Sequence, residues 1–222
     1  MSETRKIVIP GNRIGSLDDS KLGRGAFKEG NDIYSYRLGI LDERSGYVNV
    51  IPLSGIYDPA EGDTVIGVID QVSKMNWMVD INAPYPAMLR VEEVPWHVEF
   101  GAAAKYLNIG DVIMANVSGV NEIGKIDVSM RGKHYRKVEE GIIIDIQSSK
   151  VPRVIGRNGS MVSMLRDKTG CWIFVGQNGR VWIKGDDDKI GLLVEAIRKI
   201  EREAHKQGLT DEIATFLENE GE

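Results

Sequence analysis

The sequence predicts a multidomain α+β chain: a small N-terminal β module, a five-stranded β-barrel, and a C-terminal module ordered strand, helix, helix, strand, strand, helix. Three observations carry that prediction. Short runs rich in β-branched residues, punctuated by Gly, Asn and Asp, fill residues 6–131, the pattern of half-buried strands joined by tight turns. Apolar residues at i, i+3, i+4 spacing concentrate after residue 150, most clearly at Ile190, Leu193, Val194, Ile197 and Ile200. A length of 222 residues exceeds the roughly 100–150 residues that a single core gathers, leaving room for two or three modules.

The first module is expected over residues 1–60, with strands at 7–9, 33–41 and 47–51. The second is expected over 61–132, with strands at 64–72, 75–81, 88–91, 111–120 and 125–130. Gly62-Asp63 and Gly110-Asp111 open its first and fourth strands from turns, and a short helical segment at 101–107 precedes the fourth. Five strands with a helical insertion before the fourth fit a small Greek-key barrel of the OB type. The third module is expected over 133–222. A strand at 141–147 leads to a helical turn at 152–155 and a helix at 160–168. A hairpin of 171–175 and 180–184 then closes on Gln177-Asn178-Gly179, whose Asn-Gly pair tolerates the positive φ of a tight turn. Trp172 and Trp182 occupy apolar alternations in that hairpin and read as sheet packing. Asp186, Asp187 and Asp188 read as the start of the last helix, where acids complement the N-terminal dipole, rather than as a cation site. After Asp211 an acidic tail carries Ile213, Phe216 and Leu217 at helical spacing, so it either packs as a short helix or frays.

Composition narrows the function. With 42% hydrophobic and 27% charged residues, the chain can build cores, which excludes wholesale disorder. No apolar run approaches the roughly 20 residues needed to cross a bilayer, and the start, residues 1–13, lacks the apolar stretch of a secretory signal. A cytoplasmic protein with no membrane partner is expected. One cysteine, Cys171, cannot form an internal disulfide and has no basic neighbour to make it a nucleophile, so it reads as a buried thiol. The three histidines, His97, His134 and His205, show no zinc-ligand spacing. No metal, cofactor or enzymatic activity is expected.

The formal charge of −5 hides an asymmetry. Basic and acidic residues balance at 8 against 8 in residues 1–60, then stand at 4 against 10 in 61–130, 16 against 10 in 131–208, and none against 5 in 209–222. The basic excess is densest at Arg131, Lys133, Arg136, Lys137, Lys150, Arg153 and Arg157. Such a local patch attracts phosphate whatever the net charge, although a solvated surface explains it equally well. Inside this stretch lies Gly156-Arg157-Asn158-Gly159, between two short helices and preceded by Val154-Ile155. Two glycines without side chains let a sugar-phosphate backbone approach exposed amides, and Arg157 adds charge.

This loop, in that element order and beside the basic cluster, resembles the KH domain, whose G-x-x-G loop clamps about four backbone nucleotides of a single strand. Residues 63–131 resemble the RNA-binding OB domain first named from ribosomal protein S-one, in the segments 62–69, 110–117 and 126–130. Where the third strand of that domain usually carries Gly-Phe-Val-His, this chain has Tyr85-Pro86-Ala87-Met88-Leu89. The order of modules, with Pro10-Gly11 and Gly23-Arg24-Gly25 near the start, resembles the RNA-binding cap subunits of the archaeal exosome across nearly the whole chain.

That resemblance implies a non-catalytic subunit, three copies of which sit beside one another on a hexameric ring of phosphorolytic ribonuclease subunits and guide single-stranded RNA 3′ ends into its pore. It gives the N-terminal module the docking role. The residues alone reach only a single-strand RNA-binding protein, and a transcription or translation factor built from the same modules is the alternative. The expected RNA surface comprises Gly156, Arg157, Asn158, Gly159 and Arg153 in the third module. Lys133, His134 and Arg136 precede it, and Lys74, Trp77 and Arg90 lie on the barrel. Burial in the barrel core is the alternative for Trp77, and Tyr85 is a weaker stacking candidate.

Overall fold

Alternating apolar and polar residues place most of the strands. The computed structural model describes residues 6–44, 46–121 and 123–219, so the charged start at 1–5 lies outside the described residues. The chain divides into two compact units, Met1–Gly55 and Ile56–Glu222.

In the first unit β1 (Ile7–Val8), β2 (Arg13–Ser16), β3 (Lys21–Leu22), β4 (Ala26–Glu29), β5 (Asp32–Ser35), β6 (Gly39–Arg44) and β7 (Tyr47–Pro52) form two sheets. Their orders are β1-β6-β7-β3 and β2-β5-β4. Val8, Ile14, Ala26, Ile33, Val48 and Val50 make the core between them. The run expected as one strand at 33–41 is two strands in different sheets. Its break is local, because the Ser35 hydroxyl donates to the Arg37 carbonyl at 2.6 Å and so offers the backbone an alternative to the sheet. Gly25 earns its place in the Gly23-Arg24-Gly25 run. At φ +78° it is left-handed, and a Cβ there would lie 2.7 Å from the Val50 carbonyl oxygen.

The second unit begins with the barrel: β8 (Thr64–Val72), β9 (Asn76–Asp80), β10 (Ala87–Arg90), β11 (Val112–Val120) and β12 (Ile126–Ser129). The order β12-β10-β9-β8-β11 closes on itself through β11–β12 pairing, so these five strands have no free edge. The helical segment expected at 101–107 is a single turn of 3-10 helix, Ala103–Lys105. Trp77 requires a correction. Its side chain is 0% exposed and its indole N–H donates to the Leu107 carbonyl at 3.1 Å. It is the largest core residue of the barrel, and no base can stack on it. β13 (Lys137–Val138) adds antiparallel to the outside of β11.

The rest of the unit is β14 (Ile142–Asp145), α1 (Val151–Ile155), α2 (Ser160–Thr169), β15 (Trp172–Val175), β16 (Arg180–Lys184), α3 (Asp187–Arg202) and α4 (Leu209–Asn219). This is the KH order with one helix added, on an antiparallel sheet ordered β14-β16-β15. One sheet face, with Ile173, Val181 and Ile183, packs under the helices. Leu209, Ile213 and Leu217 of α4 are buried there too, which resolves the tail in favour of a packed helix. Asp186 stands at the N-cap of α3 without a side-chain capping bond, so the acids act there through Asp187 and Asp188 in the first turn. The other sheet face meets the barrel, where Trp182 joins Ile66 and Met114, flanked by Val112, Val138, Ile143 and Phe174. Trp172 departs from expectation: it is 65% exposed.

Candidate nucleic-acid interface

The G-x-x-G loop turns the chain from α1 into α2 through three left-handed residues. Gly156 ends α1 at φ 77°, ψ 174°. A Cβ on it would lie 2.6 Å from the Met161 amide nitrogen and 2.8 Å from the Met161 Cβ, so a side chain would push the loop off the start of α2. Asn158 follows at φ 52°, ψ 30°, a region that asparagine tolerates better than most residues. Gly159 is the N-cap residue of α2 at φ 80°, and a Cβ there would meet nothing within 4 Å. Gly156 is therefore demanded by the protein's own packing, whereas the space beside Gly159 is open to a ligand. The positive end of the α2 dipole lies beside that space. Arg157 and Asn158 are both exposed, and the ion pairs around them leave Arg157 without a carboxylate partner among the described residues.

The other expected residues fall into separate groups. Arg153 is half-buried and donates to the Lys206 carbonyl at 2.8 Å, so it ties α1 to the connection between α3 and α4. Lys133, His134 and Arg136 are exposed on the segment between β12 and β13, with the Arg136 guanidinium 5.6 Å from the Trp182 ring centroid. Lys74 is exposed in the β8–β9 turn. Arg90 lies at the same end of the barrel, since it pairs with Asn76 in the sheet register, but Asp127 stands 3.3 Å from its guanidinium and offsets its charge.

Sequence reasoning missed the residues that join the barrel to the KH sheet. Asn178, read as a turn residue, is 0% exposed. Its amide donates to the Ile66 carbonyl at 2.8 Å and the Ile81 carbonyl at 2.9 Å, and its side-chain oxygen accepts from the Ile66 N–H at 3.3 Å. Arg180 donates to the Asp80 carbonyl at 2.6 Å and pairs with the Asp80 carboxylate at 2.5 Å. Burial pushes the Asp80 pKa up, but hydrogen bonds from Arg180 and the Asn82 amide outweigh it and hold the carboxyl below its ordinary value. A carboxyl depressed in this way adds stability that is fully present above its unfolded value near about pH 4 and is lost as pH falls through the lower folded value. Asp80→Asn is therefore expected to flatten the fall in melting temperature between about pH 5 and pH 3. Identical pH profiles for the variant and the native chain would show that the pair contributes nothing. Among the described residues no cluster of His, Cys, Asp and Glu is placed to hold a metal ion, and no helix is long and apolar enough to cross a membrane.

Comparison with known proteins follows the same three parts. Residues 5–54 match the N-terminal domain of the exosome RNA binding protein RRP4, residues 56–119 the S1 domain of RRP4, and residues 141–189 the KH domain. The chain is 45% identical over 216 residues to the exosome complex component Rrp4 of Methanosarcina barkeri, covering 97% of this chain and 83% of that one. It is 42% identical to that of Picrophilus torridus, over 97% of this chain and 94% of the relative. A crystal structure assigned to the exosome complex RNA-binding proteins superposes with a TM-score of 0.70 at 39% identity, covering 75% of this chain and 98% of that one.

Proposed function

The chain belongs to the Rrp4 family of exosome complex components, and from that premise we propose that it captures single-stranded RNA and guides 3′ ends into a ribonuclease ring. In this reading it is a non-catalytic cytoplasmic subunit. Three copies sit together on a hexameric ring of phosphorolytic subunits and raise the rate of RNA degradation by delivering substrate. Single-stranded RNA and the ring subunits are its partners.

The observation that carries the reading is the G-x-x-G loop. Its outer side is bare backbone next to a helix N-terminus, with an exposed and unpaired Arg157. Phosphate fits that combination because amide donors and a fixed cation act on the same anion. Arg157→Asp is expected to lower affinity for single-stranded RNA by about tenfold to a hundredfold, since a hydrogen bond to a charged group contributes about 1.5–3 kcal/mol. The loss should shrink at high salt, where counterion release drives binding less. Lys74→Asp, on the barrel, is the control. If Lys74→Asp weakens binding strongly while a folded Arg157→Asp does not, the barrel is the principal RNA surface and the loop is a structural turn.

A further inference from the structure

The exposed Trp172 is unexplained by packing. The register sets Trp172 opposite Lys184 and Phe174 opposite Trp182, so all four project from the sheet face that carries no helices. Phe174 and Trp182 are covered there by the barrel residues Ile66 and Met114. Trp172, two residues further along, is left 65% exposed, with Lys184 about 5 Å away across the strands. An indole held open to water costs hydrophobic free energy that a smaller residue would avoid.

Beside this ledge runs a groove lined by Arg136, Lys137, Glu139, Glu140, Trp182 and Lys184. Its charges are not all equivalent. Lys137 is neutralised by Asp111 at 2.6 Å and Lys184 by Glu140 at 2.5 Å. Arg136 has no carboxylate partner among the described residues, and neither do the exposed Arg131 and Lys133 that precede it. Arg136 is thus the cation of the groove that no carboxylate neutralises, with Glu139 the exposed acid beside it, and Lys184 of the groove is the register partner of the exposed Trp172. An exposed indole together with unpaired cations on the neighbouring segment suits a single-stranded nucleic acid, whose bases stack while its phosphates meet the cations. A duplex does not offer its bases in this way.

We propose that Trp172 is a stacking site for a base of single-stranded RNA, with Arg136 and the Arg131–Lys133 segment meeting the flanking phosphates. The site is separate from the G-x-x-G loop and extends the RNA path to the seam between barrel and KH sheet. It rests on the RNA-binding reading given above.

The test uses the full chain and fluorescent single-stranded RNA of mixed sequence, comparing Trp172→Ala, Trp172→Phe and Arg157→Asp with the native chain. Trp172→Ala should weaken binding about tenfold, the scale of one lost base–aromatic stack, and Trp172→Phe should restore most of it. Bound RNA should also quench the native tryptophan emission. That quenching should disappear in Trp172→Phe even though affinity remains. If the native chain binds and Arg157→Asp weakens it while Trp172→Ala binds normally, the stacking site is overturned and the RNA-binding reading stands. A loss in Trp172→Ala that phenylalanine does not restore also overturns it. Unchanged RNA affinity with lost association to ring subunits would assign the ledge to protein contact instead. No RNA binding by the native chain would sink the reading beneath both.

Discussion

Asn178→Ala is expected to lower the stability of the Ile56–Glu222 unit by roughly 2–4 kcal/mol, because it strips hydrogen-bond partners from a junction that water does not reach. The native side chain satisfies the Ile66 carbonyl, the Ile81 carbonyl and the Ile66 N–H together. Alanine satisfies none of them, and the carbonyl of Ile66 retains only a longer contact from Arg180 at 3.3 Å. For a unit of this size the loss corresponds to a melting temperature lower by roughly 5–15 °C. Asn178→Asp should be worse still. It nearly preserves the shape but turns a carboxylate toward two carbonyl oxygens, replacing two attractions with two repulsions. Calorimetry on the three chains orders the effect: native, then alanine, then aspartate. If Asn178→Asp melts with the native chain, the carbonyls have found other donors and the seam does not depend on this residue. The functional consequence follows from geometry. Arg180 and Asn178 fix the KH hairpin to β8 and β9, so a weakened seam should also loosen the spacing between the RNA contacts proposed for the barrel and for the KH domain. Affinity for an RNA long enough to reach both should then fall more than affinity for a short one.

Why Asn178 escaped a reading of the sequence is instructive. Asn-Gly between two apolar runs is a strong local turn signal, and the turn is indeed there. Its side-chain partners are Ile66 and Ile81, 112 and 97 residues away, and no local pattern points across that separation. The two tryptophans of the hairpin make the same point. Alternation correctly puts Trp172 and Trp182 on one face, but it cannot tell where the barrel covering that face runs out. In the barrel, by contrast, strand spacing was fully legible, because β-branched residues alternate over long runs such as Thr64–Val72 and closure then leaves little choice of order. Trp77 was ambiguous for a physical reason: an aromatic just after a turn suits both a stacking platform and a core. Its indole N–H settles the matter by donating inward to Leu107. The G-x-x-G loop was legible because both of its requirements are local. Gly156 must avoid Met161 only five residues ahead, and Gly159 must turn left-handed to start α2.

Deleting residues 1–55 is expected to abolish association with the ribonuclease ring while leaving RNA binding largely intact. Residues 5–54 match the RRP4 N-terminal domain, and this unit holds its own core, Val8, Ile14, Ala26, Ile33, Val48 and Val50. Its surface is unusually apolar for so small a core. Ile7 is 63%, Ile9 54% and Leu38 43% exposed, a large apolar surface for so small a unit to leave in water. Its basic and acidic residues nearly balance, at 8 against 7 over residues 1–55, so it lacks the phosphate-attracting excess of residues 131–208 and is better suited to protein contact. The barrel and KH domain keep separate cores and should fold without it. The truncated chain should therefore run free of the ring on a sizing column yet still shift labelled RNA. Because a deletion removes more than a surface, Ile7→Asp and Ile9→Asp in the full chain provide the narrower form of the experiment. Both side chains are more than half exposed, so the charges should spare the fold and still cost the contact. Ring association at full strength by the truncated chain would move docking onto the barrel or the KH domain, and the apolar surface of the first unit would then need another occupant.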